Sequence, residues 1–214
     1  MRTLLAELKT ATVLTALLAI LLGGAYPLVV WAGGQLLFRD KANGSLVFDR
    51  DGTVRGSTLL GQRFTSDRYF HSRPSAAGNG YDAANSSGTN LGPTSAKLAD
   101  GVHARDAGGD SFDGIKDLIA AYRATNGMTT MDAVPADAVT RSASGLDRHI
   151  SVRNAELQAA RVAQSRGLTS PYVLSLIRKY TDNRDLGVLG EPGVNVLRLN
   201  DALDALQAGR TPAP

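Results

Sequence analysis

The densest run of reactive side chains is Ser142-Ala143-Ser144-Gly145-Leu146-Asp147-Arg148-His149, with two hydroxyls, a carboxylate and an imidazole. A serine hydrolase needs those three groups in hydrogen-bond reach of one another, with the imidazole between hydroxyl and acid. Ser142 or Ser144 with His149 would be that pair. The same residue types also make a turn. Serine hydroxyls bond their own backbone, Asp147 closes an Asx-turn, and Ser-Gly suits a left-handed position before the next element. The turn is the favoured reading. Arg73-Pro74-Ser75 comes second: an arginine ahead of a rigid proline can hold a carboxylate or stack on a ring, and a salt bridge pinning a loop is its plain role. Gly88 to Pro93, with Asn90 and Gly92 inside it, reads as turn punctuation, although carbonyls and an Asn oxygen are hard-cation ligands. Glu191 within Gly190-Glu191-Pro192-Gly193 reads as a solvated turn residue.

Around these groups the sequence sets out short elements of mixed type. Leu46-Val47-Phe48 and Thr53-Val54-Arg55 flank Asp49-Arg50-Asp51-Gly52, a hairpin signal. From His71 to Ser95, 20 of 25 residues are Gly, Ala, Ser, Thr, Asn or Pro, the composition of a long loop. Arg73, Tyr81 and Leu91 can tie that loop down, and long ordered loops are often functional. Ser111 is expected to cap a helix over 112–125, with Phe112, Ile115, Leu118, Ile119 and Tyr122 on one face. Pro135 to Thr140 reads as extended. Ser151 is expected to cap a helix ending at Arg166 before Gly167. Ser170-Pro171 starts another, with Val173, Leu174, Ile177 and Tyr180 on its buried face. Val194 to Leu199 reads as a strand, with Asn200 capping a last helix through Ala202, Leu203 and Leu206. Helices and strands do not alternate regularly, so the fold class is α+β.

The N-terminal part is of another kind. No charged residue occurs from Ala11 to Phe38. A bilayer core takes roughly 20 apolar residues in a helix, so a transmembrane span over 11–33 is expected. Gly23 and Ala25 also fit a signal-peptide cleavage site, but the apolar run continues through Leu28, Val29, Val30 and Trp31, longer than such a segment needs. An uncleaved anchor is favoured. Gly23-Gly24 and Gly33-Gly34 offer flat surface to a neighbouring helix, and Pro27 is a potential kink. Arg2 and Lys9 before the span nearly balance Arg39 and Lys41 after it, so charge alone does not set orientation.

Composition removes several function classes. The chain has 214 residues, 43% hydrophobic and 20% charged, enough for one packed domain and an appendage. There is no cysteine, which excludes disulfides, iron–sulfur clusters, thiolate zinc and a cysteine nucleophile. The three histidines, 71, 103 and 149, lack metal-ligand spacing. Residues 1–41 hold four bases and two acids, leaving the remaining residues 19 bases against 18 acids. That balance gives no basic footprint for nucleic acid. Phosphate-binding loops, nucleotide-fold glycine fingerprints and zinc-protease motifs do not occur.

A series of motifs carries a more specific resemblance. Tyr-Pro-Leu-Val-Val at 26–30, Gln-Leu-Leu-Phe at 35–38 and Ala-Asn-Gly-Ser-Leu at 42–46 come first. Gly-Ser-Thr-Leu-Leu-Gly-Gln-Arg-Phe at 56–64, Tyr-Phe-His-Ser-Arg-Pro-Ser-Ala at 69–76 and Thr-Asn-Leu-Gly-Pro-Thr at 89–94 follow. Ser-Gly-Leu-Asp at 144–147, His-Ile-Ser at 149–151, Gly-Glu-Pro at 190–192 and Val-Asn-Val-Leu-Arg-Leu-Asn at 194–200 complete it. In this order they resemble the KdpC family, the C subunits of the Kdp potassium-transporting P-type ATPases. Departures are Arg39 and Arg148, where the family often has proline, and Thr89 for a frequent serine; Arg148 is expected to loosen the Asp147–His149 turn.

The resemblance implies a bacterial inner-membrane accessory subunit beside a channel-like potassium-binding subunit and a P-type ATPase subunit. It would serve assembly and act as a catalytic chaperone that raises the ATPase subunit's affinity for ATP. ATP and potassium would be handled by the complex; no catalytic or metal residue is expected in this chain, and which residues, if any, bind ATP stays open. The implied layout is a cytoplasmic tail over 1–10, the span over 11–33, a single compact extracytoplasmic α+β domain over 34–208 containing the 71–95 loop, and a disordered end over 209–214. ATP is cytoplasmic, so any ATP effect is expected to pass through helix packing. On this expectation Gly23, Gly24, Gly33, Gly34, Arg73, Pro74, Ser75, Asn90, Gly92, Asp147 and His149 are the candidate contact residues. The alternative from another class remains the tethered serine hydrolase.

Overall fold

A computed structural model describes residues 2–49, 51–103 and 111–209 of the chain. The 209–214 end therefore falls, Gly209 apart, outside the described residues. The chain divides into two units, 1–57 and 58–214.

The first unit begins with helix α1 (Arg2–Ile20), passes through a π-helical turn (Leu21–Ala25) and continues as α2 (Tyr26–Leu37). Together these give one helix, Thr3–Leu37, long and apolar enough to cross a membrane. The wide turn has a cause. Pro27 has no N–H for the carbonyl of Gly23, and its ring would press on that carbonyl in a regular α-turn. The ladder widens by one residue instead, and the Tyr26 N–H donates to the Leu21 carbonyl. Pro27 thus sits at the start of α2, and Gly23 and Gly24 lie inside the π turn. After α2 come a short helix α3 (Arg39–Ala42) and the antiparallel hairpin β1 (Leu46–Phe48) and β2 (Val54–Ser57), as its turn residues indicate.

In the second unit the long polar stretch runs with one 3-10 turn (Ala83–Asn85) to α4 (Ala96–Asp100). Then follow α5 (Ile115–Thr125), α6 (Ala136–Val139), β3 (His149–Ser151), α7 (Val152–Arg166), α8 (Ser170–Lys179), β4 (Thr181–Asp182), β5 (Gly193–Asn195) and α9 (Val196–Gln207). The sheet order is β3-β5-β4, antiparallel throughout. The α+β class is as expected.

Several boundaries differ from the sequence reading. Helix α5 starts at Ile115, not after Ser111, because the Phe112 backbone pairs with Val102 and Asp117 reaches back to the Gly114 N–H. The Phe112 ring lies under the Arg141 guanidinium at 4.3 Å. Pro135–Thr140 is not extended: Pro135 precedes the turn of helix α6. Asp137 on that turn accepts from the Ser151 N–H at 2.7 Å, the Ser151 hydroxyl at 2.8 Å and Asn154 Nδ2 at 3.0 Å. The strand expected over 194–199 stops at Asn195, whose side chain caps α9 by accepting from the Arg198 N–H at 3.1 Å. Asn200 is no cap; it is buried inside α9. The Ser151 cap, the left-handed Gly167 stop and the Ser170-Pro171 start stand as expected.

The core gathers Ala155, Ala159 and Val162 of α7, Val173 and Ile177 of α8, Val194 of β5 and Leu199 and Leu203 of α9 around Phe70. Phe70 is wholly buried, yet it lies in no helix or strand. Its backbone is served by side chains instead. Asn200 Oδ1 accepts from the Phe70 N–H at 2.9 Å, and Asn200 Nδ2 donates to the Phe70 carbonyl at 2.9 Å. Gln158 does the same for His71, accepting its N–H at 2.7 Å and donating to its carbonyl at 3.2 Å. Arg161 donates to the carbonyls of Asp67 and Tyr69, and Arg166 to that of Arg68. Two helices thus pair with segment 67–71 as sheet neighbours would. Burial, with the Arg161 charge, pushes the His71 imidazole pKa below its ordinary 6.5, which favours the neutral ring packed here.

Truncating Asn200 leaves a buried donor and a buried acceptor unpaired. Asn200→Ala is expected to cost about 2–4 kcal/mol. Urea unfolding of the full chain in detergent would show it; a loss within experimental error of wild type would mean the clamp is dispensable.

Candidate functional site

The second unit brings the two chemistry-bearing stretches of the sequence together. Arg73 Nη1 donates to Asp147 Oδ2 at 2.8 Å, with both side chains partly buried. Beyond Pro74, the Ser75 hydroxyl donates to the Gly145 carbonyl at 2.6 Å and accepts from the N–H groups of Ala77 and Tyr81. The Tyr81 hydroxyl turns back to the Arg73 carbonyl at 2.5 Å, and burial pushes its pKa up to about 12. The 73–81 segment and the 142–149 turn are therefore one stitched body. The turn is held on its other flank too: Ser87 N–H donates to the Ser144 carbonyl and Gly61 N–H to the Leu146 carbonyl.

The turn chemistry accounts for the residue types. Gly145 has φ +67°, and a Cβ there would stand 2.7 Å from the Ala77 nitrogen and the Ser87 oxygen. Asp147 Oδ1 accepts from the His149 N–H at 3.0 Å, which is the Asx-turn. Arg148 leaves that bond intact, and its own carbonyl accepts from the Val196 N–H. The Asp147–His149 geometry is thus set without a proline between them.

His149 starts β3 and reaches across the sheet to Asp182 on β4, Nε2 to Oδ2 at 2.8 Å. Strand β5 lies between the two, and the residue under the imidazole is Gly193. A Cβ on Gly193 would come 3.0 Å from His149 Cβ and 3.1 Å from Cγ. Arg198 on α9 stands 3.9 Å from the other Asp182 oxygen.

Ser142, Ser144 and His149 border one open hollow of about 460 Å³ with Arg73 and Asp147. They do not form a relay. His149 Nε2 is taken by Asp182, Asp147 is taken by Arg73, Ser144 Oγ accepts from the Leu146 N–H, and Ser142 Oγ is buried without a partner. Asn90 and Gly92 are not drawn into this cluster; Asn90 is exposed with φ +53°. Among the described residues no group of three or more His, Asp or Glu could hold a metal ion. Glu191 is exposed and pairs with Arg184 at 2.9 Å.

In the first unit, a Cβ on Gly23, Gly24 or Gly33 would meet nothing within 4 Å, whereas one on Gly34 would touch Ala42 Cβ at 3.7 Å. Gly34 therefore has a neighbour within the chain itself.

The clamp residues Gln158, Arg161 and Arg166, together with Asp182 and Gly193, escaped the sequence reading, and Asn200 entered it only as a helix cap. One signal was present: Asn154, Gln158 and Arg161 follow helical spacing beside Ala155, Ala159 and Val162, so a polar stripe borders the apolar one.

Comparison with known proteins gives one answer. The family model described as KdpC, the c chain of K+-transporting ATPase, matches residues 8–205. A potassium-transporting ATPase KdpC subunit of Mycobacterium tuberculosis is 50% identical over 200 residues, 94% of this chain and 98% of the relative. The one from Koribacter versatilis is 46% identical over 206 residues, 96% and 98%. The one from Rhodospirillum rubrum is 50% identical over 201 residues, 94% and 96%.

Gly193→Ala is expected to destabilise the second unit by about 1–3 kcal/mol through overpacking against His149. In a His149→Gly background the same change should cost measurably less. Equal costs in both backgrounds, measured by denaturant unfolding, would show that the imidazole is not what Gly193 accommodates.

Proposed function

The chain belongs to the KdpC family of K+-transporting ATPase subunits, and from that premise we propose that it is the accessory subunit of an ATP-driven, high-affinity potassium uptake complex. In this reading the segment 11–33 spans the bacterial inner membrane, the N-terminal tail is cytoplasmic and residues 58–214 form an extracytoplasmic body. Its partners are a channel-like potassium-binding subunit and a P-type ATPase subunit. It serves their assembly and raises the ATPase subunit's affinity for ATP without binding nucleotide in the outer body.

The observation that carries the reading is the extent of the likeness. It runs through the long apolar helix and the folded body alike, so both parts belong to one conserved type of subunit. The geometry supports a contact role over a catalytic one. Arg73, Ser75, Asp147 and His149 are all engaged in holding a surface together, and neither Ser142 nor Ser144 is hydrogen-bonded to His149. The open space beside Gly23, Gly24 and Gly33 leaves room for a partner helix to approach closely. An ATP effect is then transmitted by helix packing, since no phosphate-binding loop occurs in the sequence.

The test is gentle detergent extraction of the tagged full-length chain from membranes of potassium-starved cells. Stoichiometric recovery of a P-type ATPase and a polytopic channel-like subunit is expected, with a lower half-saturating ATP concentration than in complexes lacking this chain. Photoreactive ATP should label the ATPase subunit and leave residues 58–214 unlabelled. Arg73→Ala should weaken co-purification or potassium-limited growth while the chain still unfolds cooperatively. Recovery of the chain alone would overturn the assignment, and saturable labelling of the outer body would overturn the indirect ATP effect.

A further inference from the structure

Within the first unit, the described residues of the β1–β2 hairpin present an exposed apolar face. Leu46 and Phe48 are two residues apart on β1 and exposed, with Val47 half-buried between them, so they share the outward side although the ladder with β2 is irregular between Val47 and Phe48. Val54 faces Phe48 across the ladder. Their exposures are 43%, 57% and 50%. Ser57 closes the base of the hairpin by donating to the Gly44 carbonyl at 2.6 Å. A soluble protein leaves single apolar side chains exposed at no great cost, but a clustered face usually has a partner.

The first unit itself indicates what that partner is. Chain direction reverses directly after α2. Phe38 leaves helical geometry at φ −139° and ψ 41°, and a separate helical turn starts at Arg39. Asn43 and Gln35 exchange side-chain amide bonds at 3.2 and 3.4 Å. Ala42 lies against Gly34, where a Cβ would be 3.7 Å away. Helix α3 therefore folds back beside the last turn of α2, and β1 starts four positions after its last residue. Charge returns within α3 after the long uncharged run, at Arg39, Asp40 and Lys41. The hairpin is tethered where a spanning helix leaves the hydrocarbon core. Arg39 and Lys41 are exposed there and suited to anionic headgroups.

We propose that the Leu46–Phe48–Val54 face of the hairpin lies in the interfacial layer of the lipid bilayer, as a flat footing for the helix that precedes it. The inference rests on the reading of α1–α2 as a membrane span. A phenylalanine beside branched aliphatic side chains, next to basic residues, is the composition that enters the headgroup–acyl boundary. Such a footing restrains tilt and rotation of the helix, which a helix alone sets only weakly.

The absence of cysteine makes the test direct. Single-cysteine chains Phe48→Cys, Asp51→Cys and Val29→Cys, each full length, are labelled with a polarity-sensitive fluorophore. They are reconstituted in vesicles of phosphatidylethanolamine and phosphatidylglycerol. The probe at 48 should be quenched by lipids carrying a nitroxide near the headgroup, and be at least about threefold less open to aqueous iodide than the probe at 51. The probe at 29 should respond to a nitroxide deep in the acyl chain. Iodide access at 48 equal to that at 51, with 29 still in lipid, overturns the footing and leaves the span standing. Iodide access at 29 overturns the span, and the footing with it. Protection at 48 that appears only when partner subunits are added assigns the face to a protein contact and overturns the lipid assignment.

Discussion

The backbone around the buried Phe70, which lies in no helix or strand, sets the terms for the second unit. Segment 67–71 runs from the exposed Asp67 and Arg68 to the buried Phe70, which enters the core, and the buried peptide groups there need a donor and an acceptor at once. The sheet does not supply them: among the described residues β3 and β4 each pair with β5 and with no further strand. Primary amides can, because Asn and Gln carry a donor and an acceptor on one rigid plane, spaced like a peptide. Asn200 and Gln158 therefore replace a strand, one from each of two helices. Each is fully buried, at about 1% exposure, so no water can take over the role. Arg166 extends the same arrangement. Its side chain is sealed from solvent, and it is held by Asp204 at 2.9 Å, Gln207 at 3.0 Å and the Tyr69 ring. A buried cation is tolerable only with such a complete set of partners.

The surface cluster inherits its order from that clamp. Once residues 67–71 are fixed, Arg73 follows two residues later at a fixed place, and Pro74 limits where the chain goes next. Arg73 then meets the 142–149 turn, and Ser75 binds the turn's backbone. The turn in turn fixes His149 at the start of β3. Gly193 leaves room for the imidazole to cross β5 and meet Asp182. An arginine and a histidine far apart in sequence thereby become parts of one rigid outer surface. Surface ion pairs of this exposure contribute little to stability on their own. Their value lies in fixing the shape of this surface.

Legibility in the sequence followed the range of the interactions involved. Local devices were readable: the Ser151 cap, the Gly167 stop, the Ser170-Pro171 start, the hairpin and the Asx-turn all depend on residues a few positions apart. Devices closed by distant partners were not. Asn200 has the composition of a cap, but its acceptor and donor are 130 residues away at Phe70; the cap is Asn195, which ends β5 and starts α9 at once, so the strand was read too long. Phe112 fits the apolar face of α5, but its backbone is committed to Val102. Pro135–Thr140 has weak helix propensity and turns because Asp137 is needed by Ser151 and Asn154. Arg73 and Asp147 were both recognisable as candidates by type; their pairing with each other was not, because nothing local links residues 74 positions apart.

The two units solve one problem in opposite ways. In α1–α2 every large apolar side chain is on the outside, and the backbone is satisfied along its own axis. That is the only helical solution when the surroundings cannot hydrogen-bond. Pro27 tests it, and the π turn answers locally: the Tyr26 N–H moves to the Leu21 carbonyl, with no side chain enlisted. In the second unit apolar side chains are inside, and an irregular backbone is satisfied by other parts of the chain. A polar clamp like that of Asn200 and Gln158 would be of little use along α1–α2, where no irregular strand needs it. A helix of exposed leucines would in turn be insoluble in the second unit. The change between the two regimes falls after Phe38, where charge returns, and the chain folds back on α2 before starting a sheet.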